Sequence, residues 1–365
     1  MAAAASLGLT RRAAAAGLAG CALPALLPMR ARAAPTASAA PAVLSSPAVL
    51  TPKALGAAML AVGRAGTRLV AVGERGTVLL SDDHGAHWAQ ARVPLQATLT
   101  SVCFVDERTG WAAGHLGTLL RSDDGGQSWQ MQLDGLAAAA LVETAAQRTG
   151  DAAAIKQAQQ LVREGADKPF FDLEFTDAER GFAIGAYGLM FATADGGRRW
   201  EPWLGRLPNP GSLHLYGVRA AGGTLVVAGE QGLLLRSVDA GASFVPLPSP
   251  YKGSFFGLLR TRGGALVAYG LRGSAFRSGD DGAHWDKLDS ATPLTVAAGT
   301  ALPGGGFVLA TQAGDLLLAR QDTAALRRIP SREPMPVAGI AVAADGALVL
   351  ASLRGMRRLP APALD

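Results

Sequence analysis

The chain has 365 residues, with 34 basic and 29 acidic side chains, 46 glycines and 49% hydrophobic residues. Four of the basic residues, Arg11, Arg12, Arg30 and Arg32, lie in the first 33 positions, which carry no acid, so the remainder holds 30 basic against 29 acidic groups. That balance, with no long Lys/Arg run, excludes a nucleic-acid surface, and the single cysteine past residue 33, Cys103, excludes an internal disulfide there.

Residues 1–33 read as an export signal: the basic pair Arg11 and Arg12, an apolar run from Ala13 to Leu27, and the small-residue site Ala31 to Ala33. Pro24 and Pro28 break the run, so it makes a poor membrane span. Thr10, Arg11 and Arg12 resemble a twin-arginine signal but lack the usual bulky residue after the pair, and the export route stays open. Leu18 to Cys21 resembles a lipobox, in which Cys21 is acylated; ordinary cleavage near Ala33 is the competing reading. Residues 34–46, rich in Ala, Pro and Ser, are expected to be a linker.

Residues 47–360 carry a repeat. The pattern Ser/Thr, any, Asp, any, Gly, any, any, aromatic occurs as Ser81, Asp83, Gly85, Trp88; Ser122, Asp124, Gly126, Trp129; Thr193, Asp195, Gly197, Trp200; Ser237, Asp239, Gly241, Phe244; and Ser278, Asp280, Gly282, Trp285. Each copy follows a glycine by five residues, and the glycine series 76, 117, 188, 232, 273, 314 and 355 steps by 41, 71, 44, 41, 41 and 41. Carboxylate and hydroxyl accept amide hydrogens across a tight hairpin, glycine takes the left-handed backbone, and the aromatic packs back between units. These residues are therefore expected to be structural. Where the sixth copy should stand are Ala319, Gln321, Thr323 and Leu326.

Four short strands in each unit of about 41 residues predict an all-β fold, a seven-bladed β-propeller of four-stranded antiparallel blades. In the second unit these are Leu99 to Val105, Trp111 to Ala113, Thr118 to Arg121 and Trp129 to Leu133. The seventh unit runs out after three strands, and Pro47 to Leu50 is expected to supply the fourth and close the ring; residues 361–365 are a tail. The 71-residue interval holds an insertion, residues 136–165, whose Ala-rich helical spacing, Thr149-Gly150-Asp151 break and terminal Gly165 predict a helical hairpin. It joins the outer strand of blade 2 to the inner strand of blade 3. That places it on the face of the turns between second and third strands, with Arg75, His115, Tyr187, Arg272 and Arg354. This is the candidate partner-binding face.

The five signatures are those of the Asp-box, or BNR, repeats. The phrases GWAAGHLGTLLRSDDGGQSW and GFAIGAYGLMFATADGGRRW, with the hairpin and DKPFFDLEF after it, resemble the photosystem II stability and assembly factor family and its bacterial relatives. The resemblance implies a non-enzymatic, exported propeller, periplasmic or lumenal, that holds or helps assemble a membrane-protein complex or its unassembled subunit; in photosynthetic members an arginine-rich face makes the contact. No catalytic residue, cofactor or metal ligand is expected, and the chain is expected to be a monomer with no transmembrane span after signal removal. The five histidines show no metal-ligand spacing, and Cys103, in an apolar strand, is expected to be a buried inert thiol. The rival reading is a sialidase-like glycoside hydrolase or a carbohydrate-binding propeller. It needs a Tyr/Glu nucleophile pair and an arginine triad, and none of Tyr187, Tyr216, Tyr251, Tyr269, Glu143, Glu174, Glu201 or Glu230 stands in a recognisable pairing.

Overall fold

Apolar runs of four to seven residues, punctuated by glycine turns, fold back on themselves before the chain can travel, and each repeat becomes one antiparallel sheet. The computed structural model describes residues 40–320 and 325–361; the export-signal and lipobox readings, Cys21 included, and positions 321, 323 and 362–365 lie outside the described residues. Six sheets have four strands and one has three, and in every sheet the strands follow chain order. The first strands are Met59–Ala65, Leu99–Phe104, Phe170–Phe175, Leu215–Ala221, Phe255–Arg260, Val296–Ala301 and Val337–Val342. Each packs beside the first strand of the next sheet, and Val337–Val342 packs beside Met59–Ala65, so the seven sheets stand as blades round a ring.

Radial packing explains the composition. The second strands Gly110–Gly114, Gly181–Gly185 and Leu266–Gly270 are covered on both faces and buried at every residue, so they read as apolar runs without alternation. Separate apolar clusters fill the gaps between blades, with Trp129 between blades 1 and 2, Trp200 between 2 and 3, and Phe244 between 3 and 4. Trp111 lies flat on Phe175 across the blade 2 to 3 gap, centroids 3.5 Å apart and 5° between planes.

The two ends of the ring are built differently. At one end the Asp-box turns follow the third strands. In blade 2, Ser122 Oγ donates to Asp124 Oδ1 at 2.8 Å and accepts from the Gly126 amide at 2.9 Å, while Asp124 Oδ1 accepts from the Ser128 amide at 3.0 Å. Copies at Ser81, Thr193, Ser237 and Ser278 repeat this bonding. The second carboxylate oxygen takes the Ser128 or Ser243 hydroxyl, or the His87 or His284 ring, each at 2.6 Å. The same turns also tie blades together. A carbonyl in the turn receives an arginine from the preceding blade: Arg68 to Gly125, Arg121 to Gly196 and Arg236 to Asp281; at the seam between last and first blades, Arg358 donates to His84 at 3.1 Å.

At the other end, the turn between second and third strands bonds back to the residue preceding the first strand in all seven blades, as in Glu74 to Ala58, His115 to Thr98 and Glu230 to His214. Arg75, Leu116, Tyr187, Gln231 and Arg272 take left-handed backbone there. The glycine that follows is forced: a Cβ on Gly76 would lie 2.1 Å from the Leu95 carbonyl oxygen.

Two expectations are corrected. Pro47 to Leu50 does not complete the seventh blade. Ala48 donates to the Val93 carbonyl, and Val49 and the Thr51 amide are held by the Gln90 side chain, so the segment is spent on the outer edge of blade 1. The ring closes instead by packing, with Trp88 against Ala351 and Val349 at the seam. Nor are residues 40–46 a free linker: Val43 accepts from the Gln96 amide, and Leu44 is 5% exposed among Val93, Leu95 and Ala97. In the sixth blade Leu326 is buried in the aromatic's place.

Candidate functional site

The insertion folds as two helices, α1 Gly135–Thr149 and α2 Ala152–Glu164, capped by Asp134 and Asp151 side chains and broken at left-handed Gly150. The helices are seated, not free: Ala138, Ala139, Ala146 and Ala158 are buried, and Leu141, Val142 and Leu161 pack on the blade 2 to 3 core. The ends of the insertion meet, since a Cβ on Gly135 would lie 2.7 Å from the Ala166 Cα. Gln157 on α2 reaches Ser212 in the connection between blades 3 and 4 at 3.1 Å.

Beside the hairpin the chain gathers an aromatic arc. Every first strand carries one extra residue against its partner near its start; in blades 3, 4 and 5 it is Phe171, Tyr216 and Phe256. Such bulges turn a side chain out of the sheet pattern. Phe171 and Tyr216 lie 5.0 Å apart between ring centroids, and Tyr216 and Phe256 5.5 Å, so three adjacent blades contribute one continuous patch. His214 joins it at 6.0 Å from Phe171 and 4.8 Å from Tyr187. The Tyr187 amide donates to His214 Nδ1 at 2.9 Å, so that nitrogen is an acceptor and Nε2 carries the hydrogen; the 3.8 Å approach of Glu230 to the same atom is therefore not an ion pair. Glu230 instead accepts the His214 amide at 2.8 Å. Lys168 Nζ lies 5.1 Å from the Tyr187 ring centre and binds Asp167 and Glu164, the last residue of α2. Burial disfavours its charge, but these two carboxylates outweigh it and hold Lys168 above the usual lysine range. The helix and the arc are thereby one assembly.

Between the inner strands of blades 2, 3 and 4 lies a charged cluster. Arg219 Nη1 binds Asp172 at 2.7 Å and lies 3.6 Å from Glu174; Asp172 also takes the Ser101 hydroxyl at 3.1 Å and the Val218 amide at 3.2 Å. Burial raises the Glu174 carboxyl, against the relief given by Arg219. Cys103 is half-buried rather than buried as expected; burial, with the Glu174 charge, raises its thiol. Burial pushes Tyr269 up to about 12.

Of the residues named from sequence, Tyr187 sits in the arc, 53% exposed. Arg75, Arg272 and Arg354 are exposed on blades 1, 5 and 7, one to a blade, and are not brought together. His115 is also exposed but stands one position earlier in its turn than the others, in the place of Glu74 and Glu230, and Leu116 takes the left-handed position. Phe171, His214 and Phe256 were not singled out from sequence, and Tyr216 only as a rival nucleophile; for Phe171, Tyr216 and Phe256 the available signal was an aromatic at the second position of three successive inner strands. Among the described residues no three His, Cys, Asp or Glu side chains could hold a metal ion, and no helix is long and apolar enough to cross a membrane.

The family model described as photosynthesis system II assembly factor YCF48 matches residues 80–145 and 151–315. The chain belongs to that family. A curated relative, the photosystem II assembly lipoprotein Ycf48 of Synechococcus sp. (strain CC9902), is 33% identical over 76 residues, which span 21% of this chain and 23% of the relative. A solved YCF48 bound to D1 peptide superposes with a TM-score of 0.62 at 16% identity, covering 86% of this chain and 96% of that one. Virginiamycin B lyase from Staphylococcus aureus superposes with a TM-score of 0.66 at 10% identity, covering 87% and 99%. At such identities the likeness is one of fold, and the YCF48 propeller and the lyase share it.

Proposed function

We propose that this YCF48-family protein is an exported, non-enzymatic propeller that holds a membrane-protein subunit during assembly of a complex, of photosystem II type or another, through the face bearing α1, α2 and the aromatic arc. The observation that carries the reading is the convergence of Phe171, Tyr216 and Phe256 from three blades with His214 and Tyr187, locked to α2 through Lys168 and Glu164. A half-exposed, pre-positioned aromatic patch gives contact area at little ordering cost and suits an extended peptide segment. The solved YCF48 bound to D1 peptide supports a peptide ligand. The name of the Synechococcus relative supports an exported lipoprotein, with Cys21 as the acylated residue.

Bond chemistry is disfavoured by how the charges are used. The five box aspartates hold their own turns on the opposite end, and Asp172 is spent on Arg219, Ser101 and Val218.

The test is a crosslinking pull-down from membranes with two variants: residues 136–165 deleted, with Gly135 joined to Ala166, and Tyr187→Ala. Both variants are expected to keep a cooperative melt, and the deletion to lose the captured subunit. Unchanged capture by both would refute the assignment, and turnover of sialosides or aryl glycosides would refute the non-enzymatic reading.

A further inference from the structure

Blade 7 stops at three strands, Val337–Val342, Leu348–Ser352 and Gly355–Leu359, whereas the other six blades each cover their third strand with a fourth. Among the described residues, the side of Gly355–Leu359 turned away from Leu348–Ser352 pairs with no strand, and the segment expected there, Pro47 to Leu50, is bonded to blade 1. Only its first residue is engaged: the turn Pro52–Gly56 packs on it, where a Cβ on Gly355 would lie 2.7 Å from the Leu55 carbonyl oxygen, and the Gly355 carbonyl accepts from the Ser352 hydroxyl, so the edge considered is Met356–Leu359. An edge strand with free backbone donors and acceptors is a template for another strand.

The edge adjoins a cavity. A space of about 480 Å³ lies between the outer part of blade 6 and this strand, walled by Leu316, Ile329, Met335, Leu348, Leu350 and Leu359. Its rim is basic. Arg332 is exposed and makes no ion pair among the described residues, and Arg357 is held at 2.6 Å by Glu333, whose side chain is 78% exposed. The nearby Arg328 and Arg358 are paired with Asp315 and Asp345. The surplus charge at the groove is thus Arg332, with Arg357 beside it held by both the carboxylate and the backbone carbonyl of Glu333.

We infer that blade 7 is completed in trans by an extended segment of another polypeptide, which adds as a fourth strand along Met356–Leu359. The segment puts alternate apolar side chains into the groove against Leu348 and Leu350 and presents a carboxylate to Arg332. The backbone edge selects extended conformation, the groove selects apolar residues at every second position, and the rim selects an acidic side chain or chain terminus. This site is separate from the aromatic arc and does not depend on it.

The probe is a fluorescein-labelled peptide of alternating valine and threonine ending in Asp-Leu with a free carboxylate, titrated by anisotropy against the full chain. Hydrogen exchange of the Met356–Leu359 amides is followed in parallel. Binding with new protection of those amides is expected, and N-methylation at alternate backbone positions of the peptide should abolish it. Arg332→Glu, an exposed change that leaves the fold intact, should weaken binding about tenfold, and replacing the peptide's Asp by Lys should recover it. The inference is overturned by no binding at millimolar peptide, by binding indifferent to Arg332→Glu, or by an N-methylated peptide that binds equally well. It is also overturned if these amides are protected before peptide is added, through concentration-dependent dimerisation or in a way lost when residues 362–365 are removed. The first assigns the edge to a second copy and the second to the chain's own tail.

Discussion

Replacing Ser122 by alanine isolates the Asp-box staple. The side chain is 1% exposed, and its oxygen both donates to Asp124 and accepts the Gly126 amide. In the variant the buried Gly126 amide loses that acceptor, on a glycine packed by Val70 and Leu80 of the preceding blade, each 3.2 Å from where a Cβ would stand. A buried donor left without a partner costs about 1–3 kcal/mol, which is the expected loss. Ser122→Thr keeps the hydroxyl, as Thr193 does in the third box, and should recover most of the loss. The assay is equilibrium urea unfolding followed by tryptophan fluorescence, with the slope checked for constancy so that midpoints report stability. A Ser122→Ala midpoint indistinguishable from wild type would refute the staple.

Three further outcomes follow from the packing and the charges. Trp111→Ala removes the ring stacked on Phe175 and the bond from its indole nitrogen to the Gly196 carbonyl, and should cost about 3–5 kcal/mol in the same assay. Acid should destabilise the ring: hydrogen bonds from Ser243, its amide and Ser237 hold Asp239 down to about 2, and the other four box aspartates are lowered too. Their stability is full above the unfolded carboxyl range near 4 and is lost as pH falls toward 2, which the urea midpoint measured from pH 5 downward should show. Glu174 has the opposite sign. Its carboxyl is raised by burial, so its stabilising share is present below the unfolded range and lost as pH rises; Glu174→Gln should gain on wild type between pH 4 and pH 7, and a constant difference would refute this.

The repeat marker made the blades legible because each hairpin is local: hydroxyl, carboxylate and glycine bond within eight residues, and the period counts the units. Strand Leu99–Phe104 and the capped helices α1 and α2 fall where propensity and spacing place them. Closure was not legible. Whether Pro47 to Leu50 joins blade 7 or blade 1 depends on Gln90 and Val93, polar and carbonyl partners about 40 residues away that no periodicity marks. The inter-blade arginines escaped notice because their acceptors are backbone carbonyls, as for Arg121 on Gly196. The candidate site was half legible. Turn glycines marked the end of the ring that carries Tyr187, yet the arc depends on a bulge that turns Phe171, Tyr216 and Phe256 out of the two-residue alternation, and alternation alone treats such residues as ordinary strand positions.

The central claim, that partner recognition belongs to the arc and hairpin face and structural stapling to the Asp-box face, is tested most directly by photocrosslinking in membranes. A photoreactive side chain is placed at Tyr187 in one variant and at His87, exposed on an Asp-box turn, in another. The account predicts a discrete adduct with a membrane-protein subunit from position 187 and none from position 87. Adducts from position 87 alone would contradict it.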